Sequence, residues 1–554
     1  MVRPILLALF VIFSSNLHGQ STITFQLNMS PLIEKNLFHP EKGEKVFVRG
    51  NFNQWNGDDY QLSRNAESNV YRAAFSIDFS SGDSLEYKFI IKKEDDRIYW
   101  ENKPNPENPD YANRIFVITE TEHILPIAVF DYDEFIQYPF VFSKEKLQQD
   151  FAQMRQAVEE IHPALYDYTE KETLDLLFDH QYKLIDQNMD LEAFYGIAST
   201  VISKIGCGHT KLWIPAEYWN MAPSRLFPLK LFFSNKNKVF VIGSYSDSTP
   251  VPVGSELLSI NNQTIGNINK LLESRASSDG FIKAYKSKRV EKQFAQDYAL
   301  CYGYPDLFKI RYIPPGELEK ETELTPVSID EINKQTVRGS ELSLKLIENG
   351  DAAVLNINTF AYYDRVPMFR AFIDSTFGVI RDQKIENLIL DLRGNDGGDP
   401  FCSSYLFSYL EQSPVPYFAG SFGHYESLAA PIPLSENHFT GNLFTLIDGS
   451  GFSTTGHFCA LLKYHNIGKF VGSETGATFT CTGSVRYIDL KNTKLILGTA
   501  QKRRYTAAVK NMDRTRGILP DYPVEPAQQD IIDGRDAVLD SVIKLIAKEN
   551  EIVH

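Results

Sequence analysis

Leu388-Ile389-Leu390-Asp391-Leu392-Arg393-Gly394-Asn395-Asp396-Gly397-Gly398 is an apolar strand that runs straight into a glycine-rich polar turn. Further on, Leu446-Ile447-Asp448-Gly449-Ser450-Gly451-Phe452-Ser453-Thr454-Thr455-Gly456-His457 repeats the arrangement, and here the turn opens a helix-like run. Such a layout gathers backbone N–H groups and a hydroxyl at one mouth. Around these two stretches the chain alternates: a strand at Ala353 to Ile357, a helix near 366–381, the Leu388 strand, a helix near 401–411, the Leu443 strand and a helix over 454–466. Strand–helix alternation predicts a largely parallel sheet covered by helices, with its chemistry at the strand C-termini. This βα core is expected over 346–554.

At 554 residues the chain exceeds one ordinary domain. A formal charge of -15 leaves no cationic stripe to neutralise phosphates, which argues against nucleic acid and anionic membranes as partners. Arg3, the apolar run Ile5 to Phe13 and the small and polar residues that follow read as a signal peptide over 1–19, so an exported protein, periplasmic or extracellular, is expected. No other stretch is long and apolar enough for a transmembrane segment. Five cysteines do not make a disulfide framework, and with neither CxxC nor HExxH no metal site or cofactor is expected.

The fold expected is multidomain α/β. Residues 20–125 carry short alternating runs such as Lys45-Val46-Phe47-Val48-Arg49, separated by turn residues, which predicts a β-sandwich of immunoglobulin-like kind. Over 140–215 the period becomes helical: Leu147, Phe151, Met154, Val158 and Ile161 make one apolar stripe, ended by Pro163, which makes His162 a helix-end residue. A second run, Leu191 to Ile205, leads into Gly206-Cys207-Gly208-His209-Thr210. Residues 216–345 mix β-like runs with a helix, either a PDZ-like insert or an ordinary αβ insert.

A serine hydroxyl needs a base to take its proton and donors to hold the oxyanion. Ser453 follows a strand and starts a helix, where the dipole and free N–H groups favour negative charge, so it is the candidate nucleophile and the N–H of Thr454 a candidate oxyanion donor. The Gly397-Gly398 pair brings further backbone N–H groups close, because residues without Cβ let the chain pass near a substrate carbonyl. The bland readings are a helix N-cap for Ser453 and a plain turn for the glycines. His457 competes as base by proximity, but a four-residue helical step turns it to the flank.

Together the two loops resemble tail-specific and tricorn-like serine peptidases, the carboxyl-terminal processing superfamily. The likeness covers about 140–554 and includes Gly472-Ser473-Glu474-Thr475-Gly476 and Gly517-Ile518-Leu519-Pro520-Asp521. It implies a peptide or unfolded-protein substrate. In the branch that uses lysine as base, the loop after the serine helix carries it; here Thr475 to Phe479 contain none. The tricorn-like branch uses a histidine in a Gly-x-Gly-His-Thr motif, which implies His209 as general base. It also places an orienting acid upstream of the Pro-Asp signature, which implies Asp513, with Glu474 as a rival. Two positions depart from the pattern: Cys207 replaces an acid, and Gly456 stands where relatives often carry Glu. A non-catalytic binding protein on the same fold therefore remains the alternative. The segment from Val46 to Asn113 resembles glycogen- and starch-binding modules, which implies that Trp55 and Trp100 stack on a sugar while Lys88 and Asn113 bond its hydroxyls. The other reading of that module is a spacer, and together with the peptidase core it suggests a hydrolase targeted to polysaccharide. Oligomeric state is not legible.

Overall fold

The computed structural model describes residues 20–34, 37–64, 68–94, 97–101, 113–130, 140–215, 218–219, 222–234, 238–246, 248–335, 340–347 and 352–553. The signal-like stretch 1–19 lies outside them. No helix among the described residues is long and apolar enough to cross a membrane, and all five cysteines are free. The chain divides into two units, one of 1–140 with 216–222, the other of 141–215 with 223–554.

The first unit is mainly β, with a short helix, Ser30–Glu34. Strand Ser21–Asn28 pairs antiparallel with Val70–Ile77 and parallel with Glu122–Ile124, while Lys45–Gly50 pairs antiparallel with both Gln61–Arg64 and Ser84–Lys92. Ile23, Phe25, Val46, Val48, Leu85 and Phe89 are shut off from water and form its core, as alternating strands with one apolar face require.

In the second unit, the apolar stripe forms the helix Lys144–Ile161, with Leu147, Phe151, Met154 and Val158 buried. Ser143 caps its start by accepting from Lys146 N, and His162 is its C-cap, just before Pro163. The insert is an antiparallel sheet in the order Leu229–Phe233, Val239–Ser244, Glu256–Ile260, Phe308–Ile313, Lys320–Leu324, accompanied by the helices Ile265–Arg275 and Lys283–Tyr302.

The core sheet runs Leu342–Leu346, Ala352–Ile357, Asn387–Asp391, Asn442–Ile447, Lys469–Gly472, Tyr522–Pro523. Only its first pairing is antiparallel; Leu355, Leu390, Thr445 and Phe470 lie in parallel register. Because side chains alternate, Leu388 and Leu390 pack one way with Phe369, Phe377, Leu406 and Phe458. Ile389 packs the other way with Val538, Val542 and Ile546 of the helix Ala537–Val553. A sheet apolar on both faces is what parallel strands with crossover helices produce. The helices Val366–Asp382, Pro400–Phe407 and Thr454–Tyr464 fall where the alternation predicts them, the second ending four residues early.

Candidate active site

Past strand Asn387–Asp391, Arg393 clamps the turn: its guanidinium holds Asp391 at 2.9 and 2.6 Å and Asp536 at 2.8 and 2.6 Å. Asn395, fully buried, donates to Ile357 O at 2.9 Å and accepts from Gly397 N at 2.9 Å and Thr455 Oγ1 at 2.8 Å. One side chain thus ties the glycine turn to the neighbouring strand end and to the serine helix. Gly398 sits at φ +142° with its backbone against residue 360, so a Cβ there would lie 2.1 Å from the carbonyl carbon of Phe360. At Gly397 a Cβ would come within 2.9 Å of Ser453 Cβ. The turn needs both glycines because a Cβ at Gly397 would strike the serine loop and one at Gly398 the backbone of Phe360 and Ala361.

Ser453 stands at the N-cap of helix Thr454–Tyr464 with φ 54° and ψ -122° and makes no side-chain cap bond. That excludes the plain N-cap reading. A non-glycine residue held in this region carries strain of about 1–3 kcal/mol, and the surrounding packing sustains it. Strand, sharp turn and helix lift the hydroxyl clear of the sheet.

The histidine arrives from far away in sequence. Helix Leu191–Ile202 passes through a 3-10 turn to Gly206, which takes the left-handed conformation at φ 72°. The next strand, Lys211–Trp213, pairs with Ile496 to Gly498, and Thr210 Oγ1 accepts from Ala500 N at 3.2 Å. The result is His209 Nε2 3.1 Å from Ser453 Oγ, across 244 residues of chain. The imidazole leans on Phe452, centroids 4.6 Å apart, and Phe452 stacks on Tyr285 at 4.3 Å. Burial pushes His209 down to about 3, helped by Lys211. The imidazole is therefore neutral at pH 7, the form able to take a proton. Lys211, itself lowered to about 8 by burial, lies 5.0 Å over the Trp213 ring.

Of the donors assigned from sequence, Gly397 is corrected: its N–H is spent on Asn395 Oδ1. The N–H groups of Gly398 and Thr454 meet no acceptor among the described residues, and Thr454 Oγ1 donates to Gly398 O at 2.7 Å, which holds the two together.

Asp513 is also corrected. Its carboxylate accepts from Thr515 N at 2.8 Å and Thr515 Oγ1 at 2.6 Å and stays in solvent, with no bond to His209. Glu474 accepts from Gly517 N at 2.9 Å and pairs with Arg516, which accounts for it structurally. His457 is buried beside Phe418 with Nε2 3.5 Å from Cys481 Sγ, off the serine as its helical position predicts. Gly456 packs so tightly that a Cβ would lie 2.7 Å from Thr478 O, which leaves no space for a glutamate.

The residue that sequence reading missed is Asp279. It lies 3% exposed in the loop between helices Ile265–Arg275 and Lys283–Tyr302 and accepts from Gly208 N at 2.7 Å. Cys207 donates to or accepts from Thr482 Oγ1 at 2.9 Å, and burial raises its thiol to about 11. The large cavity of about 1420 Å³ lies elsewhere, between the insert and the core beside Lys288, Glu291 and Arg393, and includes neither Ser453 nor His209.

Residues 351–524 match peptidase family S41. This chain carries a serine-type peptidase domain of family S41. Its S41 core also superposes on solved structures. Mature CPAF gives a TM-score of 0.53 at 13% identity, covering 73% of this chain and 97% of that one. Mature CPAF complexed with lactacystin gives 0.53 at 13%, covering 73% and 98%. These likenesses show a shared fold. No curated protein matches the chain.

Residues 32–111 match a starch-binding domain, so the S41 core is accompanied by a carbohydrate-binding module. In it Trp55 and Trp100 lie 6.3 Å apart between ring centroids, and the Arg49 guanidinium sits 5.4 Å from the Trp100 ring. Lys88 is the cross-strand partner of Arg49, whereas Asn113 is engaged by Glu86 Oε2 at 3.0 Å.

Proposed function

We propose that the protein is an exported serine endopeptidase that cleaves unfolded polypeptide through an acyl-enzyme on Ser453, with His209 as general base. The observation that carries this reading is the 3.1 Å approach of His209 Nε2 to Ser453 Oγ, within the reach a nucleophile and its base need. Ser453 Oγ attacks the scissile carbonyl carbon as Nε2 takes its proton, and the N–H groups of Gly398 and Thr454 receive the oxyanion. The C–N bond then breaks, and the imidazolium returns the proton to the leaving amine. Water, deprotonated by the same nitrogen, attacks the ester and frees Ser453. Cleavage of an unstructured protein by wild type, Ser453→Ala and His209→Ala tests the assignment; undiminished hydrolysis in both variants defeats it.

The insert, read as PDZ-like, captures an extended stretch of substrate by adding it to a sheet edge. The immunoglobulin-like module positions the enzyme on polysaccharide through the neighbouring rings of Trp55 and Trp100. Affinity electrophoresis in starch or glycogen tests this: Trp55→Ala and Trp100→Ala should each release the protein from retardation, with about 1 kcal/mol of stacking lost per ring. Export rests on the order of charged, apolar and small residues over 1–20, and a mature N-terminus near residue 20 in material recovered outside the cytoplasm tests it. One observation favours the alternative of a non-catalytic binding protein, namely that His209 Nδ1 is buried with no acceptor. Labelling of Ser453 by a fluorophosphonate probe eliminates that alternative.

A further inference from the structure

Two buried polar atoms beside the dyad lack partners, and their needs are complementary. His209 Nδ1 and Asp279 Oδ2 are each sealed from solvent with no hydrogen bond. For Nε2 to accept the serine proton, Nδ1 must carry the ring hydrogen and so requires an acceptor. A carboxylate oxygen left bare in the interior requires a donor. A ring nitrogen of His209, a carboxylate oxygen of Asp279 and the Cys207 sulfur lie within 4.8 Å of one another.

The loop that carries Asp279 is anchored immediately past that residue. Gly280 N donates to Gly206 O at 2.9 Å and Phe281 N to Thr515 O at 3.3 Å, and Asp279 Oδ1 is held by Gly208 N at 2.7 Å. The carboxylate is thus tied to the peptide immediately before the histidine, with its second oxygen uncommitted.

We propose that Asp279 is the positioning residue of the catalytic serine–histidine pair: its free oxygen takes the Nδ1–H of His209, fixes the tautomer that leaves Nε2 unprotonated, and stabilises the imidazolium that forms. The proposal rests on the assignment of Ser453 and His209 above. It gives this chain an orienting acid from the insert, 71 residues past Gly208, where Asp513 does not serve. Burial holds Asp279 up near 7, as expected of a carboxylate kept dry without its cation.

The test uses the full-length protein. Asp279→Asn keeps an oxygen for Gly208 N–H but presents an amide to Nδ1, which selects the wrong tautomer. We expect kcat to fall roughly 10³- to 10⁴-fold with KM held within about twofold. Fluorophosphonate labelling of Ser453 should slow in parallel, and the low-field Nδ1–H proton resonance should vanish. A variant within about threefold of wild-type kcat overturns the proposal, as does an unchanged low-field resonance. Should Asp279→Asn fail to fold, Asp279→Ala with added formate decides: restored turnover supports the proposal and an inert protein overturns it. If Ser453→Ala retains activity, the site assignment itself falls. If Ser453→Ala and His209→Ala are dead while Asp279→Asn is fully active, only the role of Asp279 falls.

Discussion

The two walls of the cleft are built on opposite terms. On the serine wall the polar groups that shape the glycine turn are satisfied: Asn395 makes three bonds and Thr454 Oγ1 closes on Gly398, and the cost beside the hydroxyl is backbone strain at Ser453. On the histidine wall the left-handed conformations fall on glycines, but His209 Nδ1 and Asp279 Oδ2 are buried without partners. One wall stores its cost in torsion, the other in desolvation. Both are forms of instability retained beside the proposed nucleophile.

Four experiments test that contrast. The largest effect belongs to Ser453→Ala, which should lower kcat by about 10⁶-fold without unfolding the protein; peptide hydrolysis and a thermal melt measure the two separately. Next comes Gly398→Ala. Its Cβ meets backbone rather than a movable side chain, so a stability loss of about 3–5 kcal/mol is expected in denaturant titration, with activity lost alongside.

Third, the desolvated wall should respond to pH. Asp279 is faced by Cys207, His209 and Lys211, by Tyr168 and Tyr285, and by Cys481. Its folded value near 7 exceeds the unfolded carboxyl's, so the fold holds the proton more tightly and this group's contribution declines as pH climbs from about 4 to about 7. His209 runs the other way: with its folded value depressed, its contribution is present above about 6.5 and lost as pH falls towards 3. Asp279→Asn removes only the first. Its stability advantage over wild type should therefore grow between pH 4 and 7, level off above, and reach on the order of a few kcal/mol; a flat difference would contradict the desolvation account. The smallest effect tests the torsional wall. Ser453→Gly relieves the φ of 54° and should raise stability by about 1 kcal/mol, read as a shift in the urea midpoint at constant slope.

The same division explains what could be read from residues alone. The serine wall is local: strand, glycine turn and helix follow one another in the chain, so Ser453 and the parallel strands around it stood out as pattern. Even the correction at Gly397 was within reach, because an asparagine two residues ahead commonly captures that N–H. His209 was reachable through its glycine-flanked motif, although nothing short-range says which strand it will pair with. Asp279 was invisible. It sits in an ordinary Ser-Ser-Asp-Gly turn, and its meaning comes only from a long-range contact with the peptide before His209. Asp513, chosen by position along the chain, failed because Thr515, two residues on, offers it two closer donors than the site does.

The pairing of Lys211 with Gly498 and the grip of Asp150 on Thr493, 343 residues away, have a consequence for synthesis. A growing chain that has already made its nucleophilic loop still lacks the partner strand that seats the imidazole, and so cannot turn on its own unfinished neighbours. Assembly of the serine–histidine contact is scheduled by topology: it arrives only when the strand that reaches Gly498 closes back over the first helices.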